Sequence, residues 1–151
     1  MSDQNNTKLD KIKNSYVQYW IEGFYCFGNL DCFIFLILGF LAWLLPQPGV
    51  NIHWGRLLYL ALIEEIIFRM FLQDLFKNIF SKTFFSQKLS LANLLASSIF
   101  ALLHLVSHPL VWALSVFFPS LVFGWIWDKY NNVISCWIVH FVYNFLYFYR
   151  F

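Results

Sequence analysis

Ala61-Leu62-Ile63-Glu64-Glu65-Ile66-Ile67-Phe68-Arg69 sets two carboxylates and a guanidinium inside an otherwise apolar run. In hydrocarbon such charges cost several kcal/mol each unless they are paired or face a wet cavity. On a helix Glu65 and Arg69 stand i, i+4 on one face and can neutralise one another. Glu64 points about 100° away from Glu65 and has no local partner. A carboxylate left in that position inside a membrane helix is a candidate functional group. The other polar residues of the chain can be sorted by whether they reach it.

Composition supports the membrane setting. The chain has 151 residues, enough for one domain, and is 60% hydrophobic, 23% aromatic and only 12% charged. A soluble domain carries about 25% charged residues. So much apolar surface cannot be buried inside a chain of this length, so lipid must be its solvent. The expected fold class is all-α, a polytopic integral membrane bundle of about five transmembrane helices. A net charge of +2 and the absence of a basic stripe give no footprint for nucleic acid. Cys26, Cys32 and Cys136 show no CxxC or Cys/His ligand spacing. Their odd number suggests no disulfide framework, and Cys32 and Cys136 read as small residues in apolar runs.

In chain order, residues 1–15 form a polar, cytoplasmic lead with Lys8, Lys11 and Lys13, and residues 16–151 form a single membrane domain. Tyr16 to Gly28 is aromatic-rich and suits the membrane interface. The first span, Cys32 to Leu45, is short and recruits residues before Asp31; it ends in Trp43-Leu44-Leu45-Pro46 without a cleavage site, as an uncleaved anchor would. The second runs from about Ile52 to Phe76, followed by a polar loop from Lys77 to Lys88. The third covers Leu89 to Ser107, the fourth Leu110 to Trp127 and the fifth Val133 to Tyr149, with Asp128 to Asn132 as a tight turn. A cytoplasmic N-terminus puts Lys77, Lys82, Lys88 and Lys129 inside with the leading lysines, and only Arg56 and Arg150 outside. That asymmetry fits the positive-inside rule.

Further polar groups lie within the spans. His104 sits late in the third helix with Phe100 one turn before it, and His140 and Asn144 share a face of the fifth at i, i+4. Counted from the span ends, Glu64, His104, His140 and Asn144 fall at similar depth, in or near the outer half. Taken singly, all but Glu64 have a structural explanation: a lone His in packing and an Asn as helix–helix glue, with the neighbouring Glu65–Arg69 a neutralised bridge. The set of four on three spans is harder to explain that way. A carboxylate withdrawn from bulk water makes a better general base, so Glu64 could take a proton from a water held against His104. His140 and Asn144 could then stabilise the oxyanion formed when that water attacks a carbonyl. This is amide or ester hydrolysis without a covalent enzyme intermediate. It needs no cofactor and no metal.

Glu64-Glu65-x-x-x-Arg69, Phe100-x-x-x-His104 and His140-x-x-x-Asn144, in that order on separate apolar helices, resemble the CPBP family. That family contains the CAAX prenyl protease (Rce1) type and bacterial Abi relatives, described as glutamic intramembrane proteases. The resemblance covers about residues 55 to 146. It implies that Glu64 activates water, His104 helps to bind it, and His140 with Asn144 stabilises the oxyanion. Glu65, Arg69 and Phe100 would support them. Family members usually have Gly after the Arg, where this chain has Met70, and tend to have more spans. The implied substrate is a membrane-anchored peptide or protein, such as a C-terminal sorting signal, and the implied location a prokaryotic plasma membrane.

Three other functions use the same residues. Glu64, His104 and His140 could form a His₂Glu zinc site, although no HExxH is present. A non-catalytic immunity or interaction protein could keep the same fold. A proton-coupled carrier also uses buried Glu and His, but no repeat or broken helix is visible to support one. The oligomeric state is not encoded in any of these features.

Overall fold

The computed structural model describes residues 15–46, 49–50, 52–80, 83–84 and 89–149. Most of the polar lead lies outside them, as do Lys82, Lys88 and Arg150, on which the charge asymmetry partly rests. Helix α1 covers residues 15–25 and closes in a 3₁₀ turn, Cys26–Gly28; α2 is Leu30–Leu38, continued as a 3₁₀ segment, Gly39–Leu44. The stretch quoted above lies in α3, Trp54–Glu65, which passes into a π-helix, Ile66–Gln73, and then into α4, Asp74–Ile79. A two-residue antiparallel pair follows, β1 (Thr83–Phe84) with β2 (Leu89–Ser90). The remaining helices are α5 (Leu91–His104), α6 (Leu110–Ser115), α7 (Phe117–Tyr130) and α8 (Val133–Phe148).

Local chemistry sets most of these boundaries. His53 caps α3 by accepting from the Gly55 N–H at 3.1 Å. Ser90 caps α5 through the Asn93 N–H, and Asn132 caps α8 through the Ile134 N–H, each at 2.9 Å. Asn131 ends α7 in the left-handed conformation (φ 47°, ψ 40°), which Asn tolerates better than most residues. The tight turn is therefore Asn131–Asn132 alone, and Asp128 to Tyr130 complete the last turn of α7. The third span is likewise shorter than its apolar run: β2 takes Leu89 and Ser90, and the helix ends at His104.

The helices pack with polarity reversed relative to a soluble domain. Glu65, Arg69, Gln73, Asn93, Ser97 and Ser120 are fully buried. Leu30, Leu44, Phe71, Val111 and Phe118 are 68–82% exposed. Hydrocarbon outside and hydrogen-bonded groups inside is the arrangement a lipid solvent selects. Leu110–Tyr130 is long and apolar enough to cross a membrane, and Ser15–Gly28 with Leu30–Leu44, bent by 75°, counts as another if the pair is one span. Leu91–His104 and Val133–Phe148 are shorter apolar helices.

Helix α5 packs on α7, α3 on α8, and α7 on α8. Helix α1 crosses the start of α8: Asn132 Nδ2 donates to the Tyr19 carbonyl (2.9 Å) and Ser135 Oγ to that of Gly23 (2.7 Å). A Cβ on Gly23 would lie 2.7 Å from Ile134 Cβ, so the crossing requires glycine. One expectation needs correction here. Cys26 and Cys32 are joined as a disulfide with Cα atoms 5.9 Å apart, closing the bend between α1 and α2, and Cys136 stays a buried free thiol. Six residues separate the pair, and the bend at Gly28 and Asn29 brings them face to face.

Candidate active site

The second span carries the site's charges in one line. Four residues overshoot an α-helical turn by about 40°, whereas the wider π turn falls short of closing. A helix that changes from α to π thus keeps Glu65, Arg69 and Gln73 on one side. Arg69 Nε donates to Glu65 Oε2 at 3.0 Å, with both side chains fully buried. Its other nitrogens donate to Gln73 Oε1 (3.2 Å) and Ser120 Oγ (2.7 Å). Gln73 Nε2 in turn donates to the Gly124 carbonyl at 2.9 Å and to Asp128 Oδ1 at 2.8 Å. Asp128 accepts from Ser90 Oγ (2.6 Å) and pairs with Lys77 (2.8 Å). Ser120, Ser97 and Asn93 form a side branch. Sequence reasoning missed Gln73, Ser120 and Asp128; the four-residue step from Glu65 to Arg69 to Gln73 was a signal that could have found the first.

His140 links this network to Glu64. Its Nδ1 donates to Glu65 Oε1 at 2.7 Å, and its Nε2 lies 3.5 Å from Glu64 Oε2. Glu64 has no partner on its own helix, as its position predicts, but it does have one on α8. The His140 ring stacks on Phe123, centroids 4.5 Å apart and planes within 17°, which fixes its plane. Trp137 Nε1 donates to the Leu58 carbonyl at 2.8 Å and pins α8 to α3 beside it.

His104 is oriented by its own helix. Nδ1 lies 2.7 Å from the Phe100 carbonyl. A carbonyl only accepts, so Nδ1 carries the hydrogen and Nε2 is left as an acceptor. The Phe100 ring separates the two histidines, 4.4 Å from His104 and 6.1 Å from His140, and packs edge-on against Phe68 at 4.9 Å.

Glu64, His104, His140 and Asn144 line a single cavity of about 200 Å³, with a wall otherwise largely aliphatic and aromatic. Glu65 and Arg69 lie outside that lining, and Phe100 is part of it. Ser98 bonds to its own helix at the Leu94 carbonyl, whereas Ser97 reaches α7 through Ser120. His53 acts as a helix cap. Among the described residues no three His, Cys, Asp or Glu side chains are grouped as a metal ion would need.

A family model described as type II CAAX prenyl endopeptidase Rce1-like matches residues 33–146. The chain belongs to the Rce1-like family. That match spans every residue of the cavity's polar set and of the network behind it. Rce1-like proteins are integral membrane proteases that act on membrane-associated substrates, so this chain is an integral membrane protein of a peptide-hydrolase family. No curated protein and no solved structure matches it.

Proposed function

We propose that this Rce1-like chain is a glutamic-type intramembrane endopeptidase that hydrolyses a peptide bond of a membrane-anchored substrate. The observation that carries this reading is the convergence of Glu64, His104, His140 and Asn144 on one cavity. A water there would donate one hydrogen to His104 Nε2 and the other to Glu64, leaving a lone pair for the scissile carbonyl carbon. Glu64 takes the proton as the carbon–oxygen bond forms. The oxyanion is held by His140 Nε2–H and the Asn144 amide. The carbon–nitrogen bond then breaks, and Glu64 returns its proton to the leaving amine.

Glu65 supports the third role. With Nδ1–H committed to Glu65, His140 has a hydrogen on Nε2 only as the imidazolium. The structural role assigned to the Glu65–Arg69 pair is thus to hold His140.

For the membrane, we propose five crossings: Leu30–Leu44, the continuous helix from Trp54 to Ile79, α5, the α6–α7 rod and α8. The cavity is lined by Leu45, Ile52, His108 and Phe148, at the end of the bundle away from the paired Lys77 and Asp128. With the lysines in the cytoplasm, the site lies in the outer half of the membrane, suited to anchored peptides cut near the outer face.

Hydrolysis of a lipid-reconstituted, acyl-anchored peptide in ¹⁸O-water tests the reaction. One solvent oxygen should enter the new carboxyl group, and hydroxylamine should trap no hydroxamate because no acyl-enzyme forms. A hydroxamate product would contradict direct attack by water.

A further inference from the structure

The mechanism leaves one histidine of the cavity wall unused. His108 lines both the reaction cavity and an adjoining one of about 360 Å³, and the two also share Leu45, Ile52, Trp112, Tyr147 and Phe148. The second cavity continues past Pro46, Val50 and Pro109. His108 therefore stands where the passage leaves the reaction chamber.

Its ring is held in place. It stacks on Trp112 with centroids 3.9 Å apart and planes within 16°, and Nδ1 lies 2.8 Å from Ser107 Oγ. Its backbone N–H is bonded to the His104 carbonyl at 3.0 Å. Neighbouring polar groups of the wall are already engaged. Trp112 Nε1 donates to the Tyr147 hydroxyl (2.9 Å), which donates to the Pro46 carbonyl (3.1 Å). The Tyr143 hydroxyl donates to the Phe35 carbonyl (2.8 Å), and Ser115 Oγ to that of Val111 (2.7 Å). His108 Nε2 has no partner among the described residues.

Another neighbouring cavity differs. A third cavity shares Ala42, Leu45, Pro119 and Tyr143 with the reaction chamber and continues past Leu38, Leu41, Phe118 and Val122. That cavity offers a largely hydrocarbon wall, and the His108 cavity offers a ring nitrogen without a partner among the described residues.

We infer that His108 is a specificity-determining residue that hydrogen-bonds an oxygen of the departing peptide segment, a backbone carbonyl or a terminal carboxylate. The inference rests on the endopeptidase assignment above. With the Ser107 hydroxyl donating to Nδ1, the ring hydrogen lies on Nε2 and meets that oxygen. The bond is made outside the reacting atoms, so it acts on binding more than on the chemical step.

The test uses the full chain in lipid nanodiscs with His108→Phe, which keeps a ring on Trp112, and His108→Gln, which keeps a donor. Dansyl-labelled trialanine, as free acid and as amide, serves as the leaving-segment probe, read by fluorescence anisotropy without turnover. His108→Phe should weaken binding of the acid by about tenfold or more, and His108→Gln should restore most of it. An equal loss with the amide would identify a backbone carbonyl as the partner; a loss confined to the acid, the carboxylate. On an anchored peptide substrate His108→Phe should raise KM by a similar factor and leave kcat within about twofold. Equal probe binding by wild type and His108→Phe, or none by wild type, overturns the inference. Probe binding weakened in His108→Phe, beside a wild-type protein that binds the probe but cleaves nothing, would overturn the endopeptidase assignment alone.

Discussion

His140 Nδ1 donates to Glu65 Oε1 across 2.7 Å, although 75 residues separate the two in the chain. Glu65 is fully buried and shared with Arg69, so one carboxylate orients the histidine and neutralises the guanidinium. Removing it leaves Arg69 buried and unpaired. Glu65→Gln should destabilise the protein by about 3–5 kcal/mol, as should Arg69→Met, because each strands the other's charge. The double variant should be less destabilised than the sum of the two. Thermal unfolding in detergent gives the coupling directly; additive losses would show that the pair is not energetically linked.

Asn144 lines the cavity and is half-buried, and no hydrogen bond within the described residues engages its side-chain amide. Asn144→Ala should therefore leave the melting temperature nearly unchanged. It should lower kcat by about 10²–10³, as loss of one oxyanion donor does. A rate within twofold of wild type would remove Asn144 from the mechanism.

Gly124 is where α7 presses on the polar core. A Cβ there would lie 1.9 Å from Asn93 Oδ1 and 2.8 Å from Gln73 Oε1. Both side chains are held: Asn93 Nδ2 donates to the Leu121 carbonyl at 2.9 Å, and Gln73 bridges Arg69 to Asp128. Gly124→Ala should cost about 1–3 kcal/mol by unfolding and disturb the Arg69 network. Wild-type stability would show that the network yields more easily than its hydrogen bonds imply.

The disulfide and the charge asymmetry give opposite cues for orientation. Lys129 pairs with Asp31, so Cys26 and Cys32 lie at the lysine-bearing end. Lysines favour the cytoplasm for that end, whereas disulfides persist in oxidising compartments. The charge rule governs insertion, and a reducing cytoplasm can leave a suitably placed pair as thiols. If the proposed orientation holds, acid quenching of whole cells followed by thiol mass-tagging should find the bond between Cys26 and Cys32 opened to thiols. A disulfide in those cells would reverse the topology and place the site in the inner half of the membrane.

The three polar segments of the candidate site stood out because their spacing is helical: Glu65 to Arg69, Phe100 to His104, and His140 to Asn144 each step by four residues. Apolar run length likewise marked the helices Leu91–His104, Leu110–Tyr130 and Val133–Phe148, while capping by Ser90 moved the start of α5 inward and α7 ran on to Tyr130. Other features depend on packing between distant segments. Nothing local to Glu64 announces His140, and nothing near Arg69 announces Ser120, 51 residues away. The π segment also stays hidden, because Ile66–Gln73 has the same apolar periodicity that an α-helix would show. The Cys26–Cys32 pair became visible only once the bend between α1 and α2 was known.

The most direct test is cleavage of an acyl-anchored peptide by purified protein in lipid, wild type beside Glu64→Gln, each with and without a chelator. Wild type should cleave equally with and without the chelator. Glu64→Gln should fold normally and cleave at least about 100-fold more slowly. Wild-type cleavage by Glu64→Gln would contradict the assignment of Glu64 as the base. Loss of wild-type activity on chelation, restored by zinc, would move the chemistry to a metal.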